Sequence, residues 1–353
     1  MRYVNRALPG SAVRALGVLV LLLGLPAGRA LADGMLVGPS YWSIWEHEQV
    51  AFVDWDEEAG AESLTVLPGF YGTAREFAWV VPVPAVPTVS SAPQALFSDL
   101  AVMTAPLQRF RDDGWDCDRG FSPDADYSSG DVDVLRRDLV GYYDVMVLAA
   151  GAAAALGDTL AAWGFLHAGN SAAVLPLLDD YVQRGWVFVT MKIDSTAYAA
   201  AYPGYDGSYD LYGGLEPVTL RFAVDAPVYP MRLSSVSAAG QSWVGVYVSA
   251  AHRMSLPGAR TVHANRIDGA EWGALAPRYP VAAARLAPGR FLTRLELRLD
   301  PDEMTSDLAL TRAATDTEYC EIQYGGFPLF GALAGTWGVA WAVGKLRRRR
   351  AAR

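Results

Sequence analysis

The chain has 353 residues, of which 52% are hydrophobic and 11% aromatic. That is enough apolar surface for the core of one large or two ordinary domains, and it excludes an intrinsically disordered protein. The net charge is −9, but the two ends hold ten of the 29 basic residues and none of the 38 acidic ones, so residues 33–325 carry −19. A segment with this much negative charge repels phosphate groups, which excludes nucleic acid as a partner.

The N-terminal segment, residues 1–32, has the three parts of a secretory signal peptide. Arginines precede a short apolar run, and "ALAD" places Ala30 and Ala32 in an A-x-A cleavage site before Asp33. The apolar run is about a dozen residues long, whereas a spanning helix needs about 20. The sequence therefore predicts cleavage before Asp33 and export of the remaining chain.

Three β-rich segments follow, and acidic or glycine-containing turns separate them. They are "QVAFVDW", "ESLTVLPGFYG" and "REFAWVV", at 49–55, 62–72 and 75–81. Aromatic and β-branched residues are typical of strands, and short connections favour neighbours in one sheet. We therefore expect a three-stranded meander.

Prolines then interrupt the third of these strands. Pro82, Pro84 and Pro87 have no backbone N–H to donate, so we expect "PVPAVP" to leave the sheet edge as a stiff extended arm. Next, "QALFSDLAVMT" predicts a helix that is capped by Ser90 or Ser91.

The same region resembles a known family. "FYGTAREFAWVVPVPAVPTV" with "LFSDLAVMTAP" is similar to the signature of a bacterial family of exported proteins, domain of unknown function 2330. The likeness continues through "VGYYDVMVLAA" and later segments, and it covers most of residues 35–320. It implies an exported bacterial protein, but it assigns no activity and no catalytic residue.

The second half of the chain predicts more strands and a pair of helices. We expect helices over 158–167 and 171–183, and strands in the segments "LVGYYDVMVLAA", "WVFVTMKI", "VTLRFAV", "MRLSSVS", "WVGVYVSA" and "FLTRLELRL". Because strands dominate and helices are clustered, the predicted fold class is α+β, with a largely antiparallel sheet.

An aspartate-rich segment follows the first helix. Asp124, Asp126, Asp131 and Asp133 are spaced by two residues in pairs, and Ca²⁺ prefers such oxygen ligands. The spacing departs from an EF-hand, because glycine stands at the seventh position and Leu135 at the twelfth. A calcium loop and a solvated acidic loop both remain open; no other cofactor is indicated.

A tyrosine series lies in "AYAAAYPGYDGSYDLYGG". Tyr202, Tyr205, Tyr209 and Tyr212 recur at short intervals, and the prolines and glycines between them exclude a continuous helix. Aromatic side chains on a loop stack on sugars or dock proteins at low entropic cost. The two interpretations are a ligand-contacting loop and a self-packed loop.

No catalytic motif is present. "WEHEQ" brings Glu46, His47 and Glu48 together but is not H-E-x-x-H, and on a strand both glutamates would face away from the histidine. The other three histidines are scattered, and the sequence around Ser242 lacks the second glycine of a nucleophile elbow. We assign no catalytic residue.

Two cysteines, Cys117 and Cys320, lie in the segment expected to be exported. An even count in an oxidising compartment favours a disulfide. The bridge would close a loop of about 200 residues and contribute around 5 kcal/mol in the chain-entropy treatment. Two unpaired thiols are the alternative.

Residues 322–344 contain no charge and are followed by the basic tail 345–353. Their length suits a bilayer core, and the arginines are expected to stay in the cytoplasm. This predicts an extracytoplasmic domain over 33–321 on a single transmembrane helix, in which Gly331 and Gly335 form a small-xxx-small pair. The tail also resembles sorting tails that some bacteria cleave, and a buried C-terminal helix is a further alternative.

Together these features predict a membrane-anchored extracytoplasmic protein of the bacterial envelope. The leading hypothesis is a non-enzymatic module that binds an envelope protein or a glycan, since no catalytic or cofactor motif is found. The alternative is an envelope hydrolase whose catalytic residues are dispersed in the sequence.

Overall fold

The computed structural model describes residues 34–41, 43–72, 74, 76–110, 139–141, 143–148, 153–193, 213–214 and 216–325. The helices in this part of the chain are α1 Ala95–Met103, α2 Ala153–Ala162, α3 Ser171–Gln183, α4 Gly269–Arg278 and α5 Pro280–Ala283, with a 3₁₀ helix at Arg232–Val236.

The strands are β1 Met35–Val37, β2 Ile44–Asp56, β3 Ala61–Gly72, β4 Ala78–Val83, β5 Thr88–Ser91, β6 Leu107–Phe110, β7 Leu139–Val140, β8 Tyr143–Leu148, β9 Val187–Ile193, β10 Gly213–Gly214, β11 Val218–Ala223, β12 Val228–Tyr229, β13 Ser242–Ala250, β14 Met254–Ser255, β15 Arg260–Arg266, β16 Phe291–Leu299, β17 Leu308–Ala309, β18 Thr311–Arg312, β19 Tyr319–Cys320 and β20 Ile322–Gly325.

Two sheets contain most of these strands. One has the order β19-β15-β16-β13-β2-β3-β11-β5, with β10 also paired to β3, and the other has the order β1-β4-β9-β8-β7. Within these two sheets, as far as the structure describes them, every pair is antiparallel except β13 with β2. The expected α+β class with largely antiparallel strands is confirmed.

The sheets pack face to face, and helices cover their outer faces. Strand alternation explains the layers, because successive side chains on β4 point to opposite sides. Trp79 and Val81 join the core between the sheets, while Val80 packs with α2 and α3 on the outside. On the other sheet, Phe52 and Tyr247 pack under α1 and α5. Such strands are buried on both faces, which accounts for their nearly continuous apolar sequences.

The predicted meander is wrong for its third strand. The first two segments form the β2–β3 hairpin, but β4 belongs to the other sheet, between β1 and β9. Pro82 lies inside β4, opposite Phe188 of β9. On the other side of β4, the pairing with β1 spans only Ala78–Val80, so it does not reach Pro82. The strand is a local edge there, so a missing N–H is tolerated. The prolines after Val83 then carry the chain across to β5 in the larger sheet.

Several predicted helix limits also change. Ser90 and Ser91 are in β5, and α1 begins after Gln94 without a side-chain cap. The predicted helix 171–183 is confirmed as α3, but its predecessor ends at Ala162 rather than at 167. Gly164 has φ +75° just beyond that end, the left-handed backbone that commonly terminates helices.

Two segments between strands were not predicted correctly. "MRLSSVS" was expected to be a strand, but it contains the 3₁₀ helix, in which Ser235 Oγ donates locally to Arg232 O at 2.9 Å. Strand β15 and helix α4 have no counterpart among the predicted elements.

The C-terminal apolar stretch begins differently from the prediction. Residues Ile322–Gly325, where the predicted spanning helix would begin, form β20, which pairs in parallel with β6. Main-chain hydrogen bonding to β6 extends this strand, since Leu107 N–H donates to Glu321 O at 2.8 Å. Residues 326–344 lie outside the described residues. Among the described helices, none has the length and apolar character needed to span a membrane.

Candidate functional site

Most residues proposed from the sequence as ligand contacts lie outside the described residues. These are the four aspartates Asp124, Asp126, Asp131 and Asp133 and the four tyrosines Tyr202, Tyr205, Tyr209 and Tyr212. Cys117 of the predicted disulfide also lies outside the described residues. Their roles therefore stay predictions. The chain is described again from Gly213, however, in strand β10 at one corner of the larger sheet.

A β-bulge shapes that corner. The register between β2 and β3 shifts between Glu46 and Glu48, so Glu46 pairs with Phe70 and Gln49 with Pro68. The extra residue in β2 interrupts the alternation of side chains between the two faces of the sheet, so residues after the bulge face the opposite way from those of a regular strand. Glu46 therefore shares a face with Gln49. The side chains of His47 and Glu48 lie outside what the structure describes, so the expectation for their faces stays a prediction.

Exposed aromatic side chains lie on the outer side of the bulge. Tyr41 is 77% exposed and Trp45 is 38% exposed, and the backbone of Trp45 pairs with Tyr71. Gly213 and Gly214 of β10 pair with Phe70 and Gly69 at the same end of β3. We call residues 41, 43–46, 69–72 and 213–214 the aromatic corner.

The tyrosine series ends, in the sequence, one residue before this corner. Tyr212 precedes Gly213, and Gly213 pairs with Phe70 of β3, the strand whose Tyr71 pairs with Trp45. Tyr212 itself lies outside the described residues.

Directly behind Trp45, the Glu46 side chain is buried and anchored. Ser237 Oγ donates to Glu46 Oε2 at 2.5 Å, and Glu46 N–H donates to Ser237 O at 3.3 Å. Ser237 Oγ also lies 3.3 Å from Gly34 O, and Gly34 N–H donates to Ser234 Oγ at 2.8 Å. This hydrogen-bonded cluster connects β2, the 3₁₀ helix and the start of β1, so it fixes the backbone that carries Trp45.

Two more polar side chains on the same face hold the chain before the 3₁₀ helix. Tyr229 OH donates to Gln49 Oε1 at 2.8 Å, and Gln49 Nε2 contacts Met231 Sδ at 3.6 Å. Farther along the sheet, Val228 N–H donates to Glu62 Oε2 at 2.9 Å. We call residues 224–238 the crossing segment, since polar groups of β2 and β3 fasten it at three points.

The three histidines whose side chains the structure describes, His167, His252 and His263, do not converge. His252 Nδ1 lies 2.8 Å from Asp316 Oδ2, which lowers the pKa of Asp316, and His167 accepts from Gly169 N–H at 3.2 Å. Burial, with a smaller effect of Arg294, lowers the pKa of His263 to about 4, so its ring is neutral. The described residues contain no group of three or more His, Cys, Asp or Glu side chains suited to a metal ion.

Cys320 lies in β19 directly opposite His263 of β15. Opposed residues of antiparallel strands have Cβ atoms about 5 Å apart. The Cys320 Sγ atom is 3.8 Å from the carbonyl oxygens of Ala105 and Glu321, and Cys320 is a free thiol in the described part of the chain. The disulfide with Cys117 stays a prediction.

Sequence reasoning missed the buried polar groups. Glu46 and Glu62 looked like ordinary strand carboxylates, yet both are fully buried. Ser242, considered as a nucleophile, is also buried, at the start of β13. Only the alternation of "AESLTV" offered a signal for Glu62, because that residue falls in phase with Leu64 and Val66.

Comparison with known proteins gives one family. The sequence model of the family described as "Uncharacterized protein conserved in bacteria (DUF2330)" matches residues 27–311. No curated protein matches the chain. Among solved structures, the crystal structure of baculovirus P35 aligns with 80% of this chain and 98% of that chain, at 9% identity and a TM-score of 0.36. A likeness of that size identifies neither fold nor function.

Proposed function

Since this chain belongs to the bacterial family DUF2330, we propose that it is a non-enzymatic binding module of the cell envelope, with the aromatic corner as its contact surface. The observation that carries the proposal is the pair of exposed rings, Tyr41 and Trp45, on a backbone held by the buried Glu46–Ser237 hydrogen bond. Rigid aromatic side chains lose little entropy on binding, and a fixed backbone reduces the cost of ordering.

The chemistry of the corner favours a glycan as the ligand. Tyrosine and tryptophan rings supply flat apolar faces that stack on sugar rings, with polar tips for their hydroxyls. The charge of −19 on residues 33–325 disfavours an anionic polymer and favours a neutral or amino-bearing one. A protein ligand is the other outcome that the binding test below distinguishes.

The proposed location is the outer side of the cytoplasmic membrane. Export through the signal peptide 1–32 and retention by the C-terminal apolar stretch support it. After β20 ends at Gly325, residues 326–344 still provide 19 uncharged residues, close to the roughly 20 of a spanning helix. An epitope placed after Arg353 tests this: loss of the tag while the domain reaches the surface favours the cleaved sorting tail over the anchor.

Binding can be measured by co-sedimentation of the purified protein with insoluble peptidoglycan sacculi. We expect Trp45→Ala to weaken binding by about 2 kcal/mol, or roughly thirtyfold, the size expected for a central aromatic contact. Tyr319→Ala is the matched control, because Tyr319 is 43% exposed on the far strand β19. Equal binding by the two variants would overturn the proposal, and so would sedimentation that depends on wall-associated protein and is lost from protein-free sacculi.

One observation favours the alternative, an envelope hydrolase: His263 stands opposite Cys320 on neighbouring strands. A thiol beside a neutral imidazole is the pairing that nucleophilic catalysis uses. Soluble fragments released from the same sacculi, and abolished by Cys320→Ala but not by Trp45→Ala, would support the hydrolase. A Cys117–Cys320 disulfide would exclude Cys320 as its nucleophile.

A further inference from the structure

Glu62 is a carboxyl group enclosed in the apolar core between the two sheets. Its side chain is fully buried, and its neighbours in register are Trp55 on β2 and Phe222 on β11. Oε2 accepts the Val228 N–H at 2.9 Å, while Oε1 is buried without a hydrogen-bond partner among the described residues. A carboxylate with a single neutral donor is poorly compensated in such a site, so the protonated acid is favoured.

Charged side chains on the adjacent strands point away from Glu62. Asp54 and Asp56 alternate with Trp55 on β2 and therefore project from the opposite face of the sheet, where Arg290 binds Asp54 at 2.8 Å. Arg221 of β11 also lies on that face and donates to Ser63 Oγ at 3.0 Å.

The crossing segment adds no charge at this point either. Its titratable group beside Val228 is Tyr229, which donates to Gln49, and Asp225 is exposed in the turn after β11. On β17, the strand that pairs with β12, both residues are apolar. Burial is the main cause that raises the pKa of Glu62, from 4.5 to about 8, and the Val228 N–H opposes it; no charged group contributes.

The backbone that Glu62 holds lies on a short ladder. Val228 opens β12, which pairs with β17 over two residues only, and Leu310 N–H donates to Pro227 O at 3.0 Å. The contacts that join this part of the chain to β2, β3 and the turn between them include Val224 N–H to Gly60 O at 3.0 Å, Tyr229 OH to Gln49 Oε1 at 2.8 Å and Val228 N–H to Glu62 Oε2 at 2.9 Å. A short ladder of this kind opens more readily than the central strands, and the Glu62 bond is one of the contacts that keep it closed.

We infer that Glu62 is a pH-dependent latch, which in its protonated form holds residues 224–229 against β3 and releases them at alkaline pH. In the opened segment Glu62 meets water and ionises near its ordinary pKa of 4.5. The opened form therefore binds fewer protons than the closed form, and opening becomes more favourable as the pH rises. The population of the closed form relative to the opened form falls about tenfold per pH unit between about pH 4.5 and pH 8, and it falls no further above that range.

Hydrogen exchange of the purified full chain tests the latch. We expect the opening constant of residues 224–229, corrected for intrinsic exchange rates, to rise about fiftyfold from pH 6 to pH 8. Glu62→Gln keeps the shape of the side chain without the proton equilibrium, so its opening constant should stay unchanged over that range. Glu58→Gln, an exposed glutamate in the adjacent turn, is the matched control and should behave as the parent protein.

A second measurement needs no stable variant of Glu62. Infrared spectroscopy of the parent chain at pH 6 should show the carbonyl band of a buried protonated carboxyl group, and titration should remove that band near pH 8. An opening constant that is independent of pH in the parent chain, or a carboxyl group that is ionised at pH 6, would overturn the inference.

Discussion

The Asp307 side chain joins three separate elements, and its loss gives the largest stability effect that we predict. Tyr181 OH of α3 donates to Oδ1 at 2.5 Å, Arg184 Nη1 donates to Oδ2 at 2.8 Å, and Arg232 N–H of the 3₁₀ helix donates to Oδ1 at 3.1 Å. The Asp307 side chain is only 6% exposed. Burial and the adjacent Asp307 charge both raise the pKa of Tyr181, so its hydroxyl stays a donor.

Replacement of Asp307 by alanine removes the two oxygens that accept these three hydrogen bonds. Two bonds from neutral donors contribute about 1 kcal/mol each and one from a charged donor about 2, so we expect a loss of about 4 kcal/mol. Urea unfolding at pH 7 measures it as a lower midpoint at unchanged slope. Asp302→Ala removes the same charge from an exposed position of the same loop and should change stability by less than about 0.5 kcal/mol. A loss below about 1 kcal/mol for Asp307→Ala would refute the reasoning.

Three further predictions follow. Gly34→Ala should destabilise the protein by at least about 2 kcal/mol in thermal unfolding, because Gly34 has φ +78° and a Cβ there would lie 2.6 Å from the ring nitrogen of Trp79. Gly240→Ala is the control, since a Cβ at Gly240 would have no atom within 4 Å. Mass spectrometry without reductant should find a Cys117–Cys320 peptide, and two alkylated thiols would contradict it. N-terminal sequencing of protein from native membranes should start at Asp33, whereas an intact 1–32 segment would rule out cleavage.

The sequence predicted many individual elements because local side-chain patterns define them. The β-branched and aromatic segments at 187–193, 218–223, 242–250 and 291–299 are strands within a residue or two of the predicted bounds. The helix 171–183 was also predicted, because its apolar residues recur with helical spacing. Local preference and periodicity require no knowledge of the rest of the chain.

Pairing of strands required the tertiary structure. The β4 strand leaves its sequence neighbours for the other sheet, and its partner β9 is about 100 residues away. The serines at 234 and 237 were placed in a strand, although their main roles are long-range bonds to Gly34 and Glu46. Neither bond has a local signature, since each depends on chain segments about 200 residues apart.

The features of the candidate site also fall into those that the sequence predicts and those that required the tertiary structure. The sequence by itself determined the acidic body, the aromatic content of "YWSIW" and the tyrosine series, and membership of the DUF2330 family. Only the tertiary structure decided that Gly213, the residue after the tyrosine series, pairs with the strand that also pairs with Trp45, that a bulge turns Glu46 into the core, and that Glu62 is enclosed there. The physical reason is that a residue type sets what a side chain can do, whereas burial, partner and pKa depend on atoms brought together from distant parts of the chain.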